Sequence, residues 1–307
     1  MSARILTREK RNHTMPSAAV FRSAKCFAVA APALIASFSA ALPASGKVSA
    51  TTSHSRLAAV YAIRFAGIKL GKFEVWSNLN DKSYSMRGKG KLKFITGLIF
   101  EIKGGTTSTG AVTKNGPRHT SFTFNFKTKK NTGKLAMMFD GNAVSHVTAQ
   151  PPFIENPKDI PVTAAHVKGV LDPLSALFFT AKTAKRNADG SICPGRIPVF
   201  DGKQRFDLEL SHKKTVQVKK RGKGGYRGLA VVCRIKYIPI AGYKPDNSGI
   251  KFMTETDEIE VWLIQVPKKE MYVPYHINIP TPFGTASATS IGLQVEIPGE
   301  EKIAVIY

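Results

Sequence analysis

The chain has 307 residues, 43% of them hydrophobic, including 18 Phe and 8 Tyr. That much apolar surface can offset chain entropy, which excludes wholesale disorder, and the length admits one large β domain or two ordinary ones. Lys and Arg number 45 against 21 acidic residues, a formal charge of +24, which in the cytosol would point to nucleic acid.

The N-terminus predicts a different compartment. Residues 27–42 carry no charge and follow Arg22 and Lys25, a basic segment leading into an apolar one. Sixteen such residues fall short of the roughly 20 a bilayer helix needs, and they include Pro32, so the segment reads as a cleavable secretory signal and no mature transmembrane helix is expected. Val48-Ser49-Ala50 is favoured over Leu42-Pro43-Ala44 for cleavage. This assigns 1–50 to the signal and 51–307 to a single β-rich envelope domain, with Met15 beginning a shorter version of the same signal. Cys26 precedes the apolar run, so no lipoprotein anchor is expected at the usual position. The predicted location is the periplasm of a Gram-negative bacterium. Residues 1–50 hold seven basic and one acidic side chain, which leaves 38 against 20, or +18, for the remainder. Outside the cytoplasm that charge would face anionic lipid, lipopolysaccharide phosphate or acidic wall polymer rather than nucleic acid, or would simply keep the surface soluble.

From Leu57 to Val147 apolar residues alternate, as in Phe122-Thr123-Phe124-Asn125-Phe126, the period-two pattern of strands with one buried face. Turn signals fall at Asn80-Asp81, Asn115-Gly116-Pro117, Asn131-Thr132-Gly133 and Asp140-Gly141-Asn142, about ten residues apart as in an antiparallel meander. Four prolines in 151–161 exclude a regular element there. Asp172-Pro173 then caps a helix whose Leu174, Leu177, Phe178 and Ala181 recur at helical spacing, with Lys182, Lys185 and Arg186 at its C-terminal turn. An amphipathic helix in a β protein must bury its stripe against a concave sheet, so those four residues are core or ligand-wall positions. Strands resume over Ile197–Leu210, Thr215–Lys220, Leu229–Ile240, Glu255–Lys268 and Tyr272–Ile279. Asp201-Gly202 sets a turn within the first of them.

The remaining cysteines, Cys193 and Cys233, lie 40 residues apart in a compartment that permits oxidation, and they form either one bridge or two buried thiols. A bridge closing that loop stabilises by about 4 kcal/mol in the chain-entropy estimate.

No catalytic constellation emerges. Ser175, His166 and Asp172 lie close in sequence, but triads assemble from separate elements, no G-x-S-x-G elbow exists, and Asp172 is already a helix cap. His54, His119, His146, His166, His212 and His276 are scattered without metal-ligand spacing, so no metal or cofactor is expected. Gly222-Lys223-Gly224-Gly225 lacks phosphate-loop spacing. Arg205 and Asp207 share a strand face, either as a polar ligand contact inside the curve or as an ion pair outside it. Two basic groups are candidate anionic contacts: Lys89, Lys91 and Lys93 on one strand face, and Lys219, Lys220, Arg221 and Lys223. Lysines guarding an exposed edge strand would give the same pattern.

Four segments carry a resemblance. They are Tyr61–Gly71 (YAIRFAGIKLG), Leu171–Ala176 (LDPLSA), Val199–Leu208 (VFDGKQRFDL), and Val273-Pro274 with Ile279–Thr285 (IPTPFGT). In this order they resemble the exported bacterial family known as domain of unknown function 3108, over roughly residues 57–295. The family is similar in architecture to periplasmic β-spiral and half-barrel lipid or lipoprotein carriers. The resemblance implies a curved antiparallel sheet around a helix, and no catalytic residues carry over from it.

The expectation is therefore a mainly β, non-catalytic periplasmic protein that binds a lipid, a lipidated segment or another hydrophobic ligand in a curved sheet. The rival expectation is a structural or interaction protein whose basic surface contacts cell-wall polymer, a lipoprotein or anionic lipid. Peripheral membrane contact fits either.

Overall fold

A computed structural model describes residues 54–306 except 97, 114–115, 183–191, 194, 220–224 and 268–271. The signal assigned to residues 1–50 lies outside them. The described chain forms β1 (Ser55–Phe65), β2 (Ile68–Leu79), β3 (Ser83–Thr96), β4 (Leu98–Thr113), β5 (Gly116–Lys127), β6 (Thr132–Asp140), β7 (Ala143–Gln150), α1 (Pro173–Lys182), β8 (Gly195–Phe200), β9 (Arg205–Val218), β10 (Gly228–Ala241), α2 (Ser248–Glu255), β11 (Glu260–Gln265), β12 (Tyr272–Thr281), β13 (Gly284–Glu296) and β14 (Ile303–Ile306).

All fourteen strands belong to one antiparallel sheet in the order β7-β6-β5-β4-β3-β2-β1-β13-β12-β11-β10-β9-β8, with β14 added against β13. Two meanders thus run outward from a central β1–β13 seam and leave β7 and β8 as the edges. Flat, those edges would stand about 58 Å apart at ~4.8 Å per strand. Instead a five-residue stretch reaches both: Val144 N donates to Val167 O at 3.0 Å on one edge, and Leu171 N donates to Pro198 O at 2.9 Å on the other. Five residues span at most about 17 Å, so the sheet is rolled until its edges nearly meet, without a ladder between them.

A tight turn and contacts between distant strands hold the seam. Gly67 (φ +81°) and Ala66 (φ 46°) make the tight β1–β2 turn, and Ala66 N donates to Thr285 O at 2.9 Å. Gly71 leaves room for the backbone of Lys91, which a side chain would strike. Tyr61 donates its buried hydroxyl to Pro274 O across 213 residues at 2.9 Å. Two of the four segments singled out above, Tyr61–Gly71 and Val273-Pro274 with Ile279–Thr285, therefore meet or bracket this seam.

Several expectations need correcting. The turn placed at Asn131-Thr132-Gly133 occupies 128–131, where Thr128 Oγ1 accepts from Asn131 N at 2.9 Å. Gly133 lies inside β6 because the Phe126 ring covers it. Thr215–Val218 continues β9 rather than forming a separate strand. Glu255 ends α2 and β11 starts only at Glu260, so the strand drawn over Glu255–Lys268 is too long. The helix α2 was not anticipated; Asn247 caps it by accepting from Ile250 N at 3.0 Å.

Core residues fall into two groups. One runs through Tyr61, Val75, Met86, Phe122, Met137, Leu174, Ile264, Val273, Leu293 and Val295. The other, around Ile197, Val199, Leu210, Ile235, Val261 and Leu263, encloses Cys193 and Cys233. These cysteines form a disulfide with Cα atoms 5.8 Å apart, tying the entry of β8 to β10.

Candidate ligand groove and the polar lock behind it

The helix α1 turns into the rolled sheet directly after the edge-bridging stretch and packs on β3, β4, β8 and β12. Its first turn is held as the sequence implies: Asp172 Oδ1 accepts from Leu174 N at 3.0 Å and from Ser175 N at 2.9 Å. Leu174 and Ala176 are buried, one in each core group, and Leu177 is half-buried. The side chains of Phe178 and Ala181 lie outside the described residues.

The other oxygen of Asp172 anchors the helix to the sheet. Oδ2 accepts from Ser175 Oγ at 2.6 Å and from Ser108 Oγ of β4 at 2.8 Å. The two hydroxyls are 2.8 Å apart. Asp172 and Ser108 are 0% exposed and Ser175 is 1% exposed. Beside them Tyr84 of β3 meets His119 Nδ1 of β5 at 2.5 Å, and that nitrogen lies 3.7 Å from Asp172 Oδ2. Burial pushes the Tyr84 phenol up to about 12, so it stays protonated and donates. Burial pulls His119 below its usual 6.5 despite the Asp172 carboxylate. A neutral imidazole accepting at Nδ1 carries its proton on Nε2.

This cluster supplies the residue types of a hydrolase in a different arrangement. Both serines donate straight to the carboxylate, and His119 Nδ1, which lies 3.5 Å from Ser175 Oγ, already accepts from Tyr84 at 2.5 Å. A serine is activated when an imidazole accepts its proton and a separate carboxylate orients that imidazole. Here the groups satisfy one another and lock α1 against β3, β4 and β5. His166 takes no part: its Nδ1 accepts from Thr163 N at 3.2 Å in an exposed turn. Tyr84, Ser108 and His119 escaped the sequence reading. Their one signal is that Ser108 and His119 are polar residues at positions whose strand neighbours face inward.

In front of this lock lies a groove of about 820 Å³. Leu174 and Leu177 form one wall; Phe73, Phe122, Phe124, Phe126 and Leu135 form the floor; Phe153 and Ile154 of the proline-rich crossing form the opposite lip. Glycines make the floor possible. A Cβ at Gly90 would sit 2.9 Å from Phe73 Cδ2, and one at Gly88 would sit 2.7 Å from Thr106 Cγ2. The aromatic rings lie flat over neighbouring strands because nothing projects beneath them. Phe124 is 42% exposed and Ile154 88% exposed. Apolar surface left open beside a core marks a ligand or partner site. Asp201, Lys203 and Gln204 edge the groove. Asp201 Oδ1 accepts from Lys203 N at 2.8 Å, which fixes that turn, and Gly202 (φ +98°) abuts Leu135. Lys203 and Gln204 also edge a second, more polar cavity of about 650 Å³ beside α2.

The other singled-out residues lie elsewhere. Asp207 is buried between Arg205, which donates to it along β9, and Arg196 Nε at 2.8 Å. The trio is an ion-pair cluster, and neither Arg205 nor Asp207 is among the residues that line these two cavities. Lys89, Lys91 and Lys93 share the outer face, as alternation requires. At Lys89 and Lys91 the strand is paired on both sides, so edge protection does not account for them, whereas Lys93 lies beyond the last pair with β2. Lys219 is exposed after β9; Lys220, Arg221 and Lys223 lie outside the described residues. Among the described residues no three His, Cys, Asp or Glu converge as a metal site, and no helix is long and apolar enough to cross a membrane.

The fold is similar to that of a β-barrel-like protein of domain of unknown function DUF1849 from Brucella abortus, at 10% identity and a TM-score of 0.47, over 80% of this chain and 98% of that one. No curated protein sequence matches the chain. The family model for protein of unknown function DUF3108 matches residues 60–290, and the chain belongs to that family.

Proposed function

We propose that this protein holds an elongated apolar ligand, a lipid acyl chain or a lipidated segment, in the groove between α1 and the β2–β6 floor, and performs no chemistry on it. The observation that carries this is the groove itself, about 820 Å³ walled mainly by Phe, Leu and Pro side chains, with Lys134, Asp201 and Lys203 as its charged lining residues. Its size lies within the 300–1,000 Å³ range of small-molecule sites. At about 0.8 kcal/mol per buried methylene, ten methylenes supply roughly 8 kcal/mol before the cost of ordering the chain. The periplasm is the setting, supported by the charge-free segment after Arg22 and Lys25 and by the Cys193–Cys233 bridge.

Protein purified from its own envelope and analysed by native mass spectrometry should release a hydrophobic molecule, and a fluorescent fatty acid should compete with it. Phe124→Asp changes a partly exposed floor residue. It should weaken the fluorescent probe tenfold or more while leaving thermal unfolding nearly unchanged. Equal probe affinity in wild type and Phe124→Asp would refute the groove as the site.

A further inference from the structure

Two segments border both cavities, and the first changes character on the way from one to the other. The proline-rich crossing lays Phe153 and Ile154 along the groove, then places Asn156 and Asp159 on the cavity beside α2. The turn between β8 and β9 gives Asp201 to the groove and gives Lys203 and Gln204 to both. The crossing is stitched to the loop that follows β10: Gly242 N donates to Ile160 O at 2.7 Å, and Ile160 N donates to Tyr243 O at 2.9 Å. Glycine is required at 242 (φ +80°), where a Cβ would strike Lys203 O. An apolar groove of about 820 Å³ and a more polar cavity of about 650 Å³ thus adjoin across one turn.

The second cavity suits a neutral, hydroxyl-rich group. Each lysine on it has a carboxylate at hand: Lys203 Nζ lies 3.6 Å from Asp159 Oδ2, and Lys244 Nζ lies 3.0 Å from Asp246 Oδ1. A phosphate or carboxylate would have to displace those partners and would meet Asp159 on the same wall. Asn156 Oδ1 accepts from Lys158 N at 3.0 Å and Asn247 Oδ1 from Ile250 N at 3.0 Å, which leaves each side chain its NH2 to offer a ligand. The Tyr237 hydroxyl donates to Gln204 Oε1 at 3.4 Å, a long bond that a better-placed acceptor can replace. Burial pushes that phenol up to about 12, so it stays protonated. The rings of Phe206 and Tyr237 lie 5.1 Å apart, tilted by 40°, and Tyr243 and Phe252 add further aromatic wall. Electron-rich ring faces receive the C–H bonds of a sugar ring, while its hydroxyls pair with amides, a carboxylate and a phenol.

We propose that the cavity beside α2 binds the sugar head of a glycosylated amphiphile whose acyl chain lies in the groove, with the Asp201–Gln204 turn between the two parts. This inference rests on the groove as an acyl-chain site and adds the chemical class of the head. Asp159 sets the selectivity, because its carboxylate accepts from sugar hydroxyls and neutralises Lys203 against anionic heads.

The test is calorimetric titration of delipidated protein, produced from its full chain and recovered as the cell processes it. The probes are decyl maltoside, decanol, decyl phosphate and maltose, all below their micelle concentrations. Decyl maltoside should bind about tenfold more tightly than decanol or decyl phosphate, since a site built to pair hydroxyls rejects a ligand that lacks them. Maltose should bind roughly a hundredfold more weakly than decyl maltoside, because the chain supplies most of the apolar burial. Asp159→Asn keeps the side-chain shape and removes a partly exposed ion pair, so unfolding should stay nearly unchanged. It should weaken decyl maltoside about tenfold, the loss of a charged hydrogen-bond acceptor, and tighten decyl phosphate. Tyr237→Phe keeps the ring packing and should weaken decyl maltoside severalfold without altering decanol. Phe124→Asp should weaken all three decyl compounds. Equal affinity for those three, or a maltoside preference that survives both Asp159→Asn and Tyr237→Phe, would overturn the sugar site and leave the groove standing. Decyl phosphate as the tightest wild-type ligand would overturn it in favour of an anionic head. Decyl compounds indifferent to Phe124→Asp would refute the groove, and maltose binding as tightly as decyl maltoside would refute the joined site.

Discussion

The buried carboxylate of Asp172 makes the attachment of α1 to the sheet measurable. Its Oδ2 accepts from Ser108 at 2.8 Å and Ser175 at 2.6 Å, while Oδ1 accepts from two backbone N–H groups. Ser108→Ala leaves Oδ2 with Ser175, and Ser175→Ala leaves it with Ser108. Each single change loses one hydrogen bond to a charged group, expected to cost about 1.5 kcal/mol, the low end for such bonds because a second donor remains. The double mutant leaves a fully buried carboxylate oxygen without a side-chain donor, and that unmet desolvation adds roughly 2 kcal/mol. The expected losses are thus about 1.5, 1.5 and 5 kcal/mol, with a coupling energy near 2 kcal/mol. Urea unfolding followed by tryptophan fluorescence measures all four corners of the cycle. A double mutant whose loss is the sum of the singles would refute the claim that the two hydroxyls jointly satisfy one buried charge.

Two further outcomes are expected. Cys193→Ser, Cys233→Ser and the double mutant should lose the same stability, about 4 kcal/mol for a 40-residue separation in the chain-entropy estimate, because each single change removes the whole bridge; additive single losses, or free thiols labelled in protein from the envelope, would contradict this. The pH dependence has a definite sign. His119 has a folded pKa below its ordinary 6.5, and so does His276, half-buried and 2.8 Å from Thr289 Oγ1. The unfolded chain therefore binds protons that the folded one refuses, and the stabilisation is complete above pH 6.5 and is lost as pH falls from there towards the folded values. Chemical unfolding at pH 7.5 and 5.5 should show that loss, and His119→Gln should reduce it. An unchanged pH slope in that variant would separate His119 from the effect.

Much of this architecture is local and could be deduced from residue order. Strands follow from period-two alternation, which buries one face whatever the partner strand. The start of α1 follows from Asp172 and Pro173, because a cap satisfies backbone groups within three residues. Leu174 and Leu177 stand where helical periodicity placed them. The α2 helix was not legible, since eight residues containing Gly249 carry little periodic signal and its cap, Asn247, is also a turn residue. The position of Gly133 was misjudged for a tertiary reason: its lack of a side chain serves the Phe126 ring across the ladder, not a turn.

The sequence by itself determined the strands, the first helix, the pair of cysteines able to bridge and the alternation that puts Lys89, Lys91 and Lys93 on one face. Only the tertiary structure decided what those elements do together. Ser108 reaches Asp172 across 64 residues because rolling the sheet brings β4 over the helix that follows β7. The Phe-lined groove and the polar lock behind it depend on register and on where neighbouring strands stop. Those are properties of pairing between distant segments. Side-chain alternation says which face a residue occupies, but not what stands opposite it.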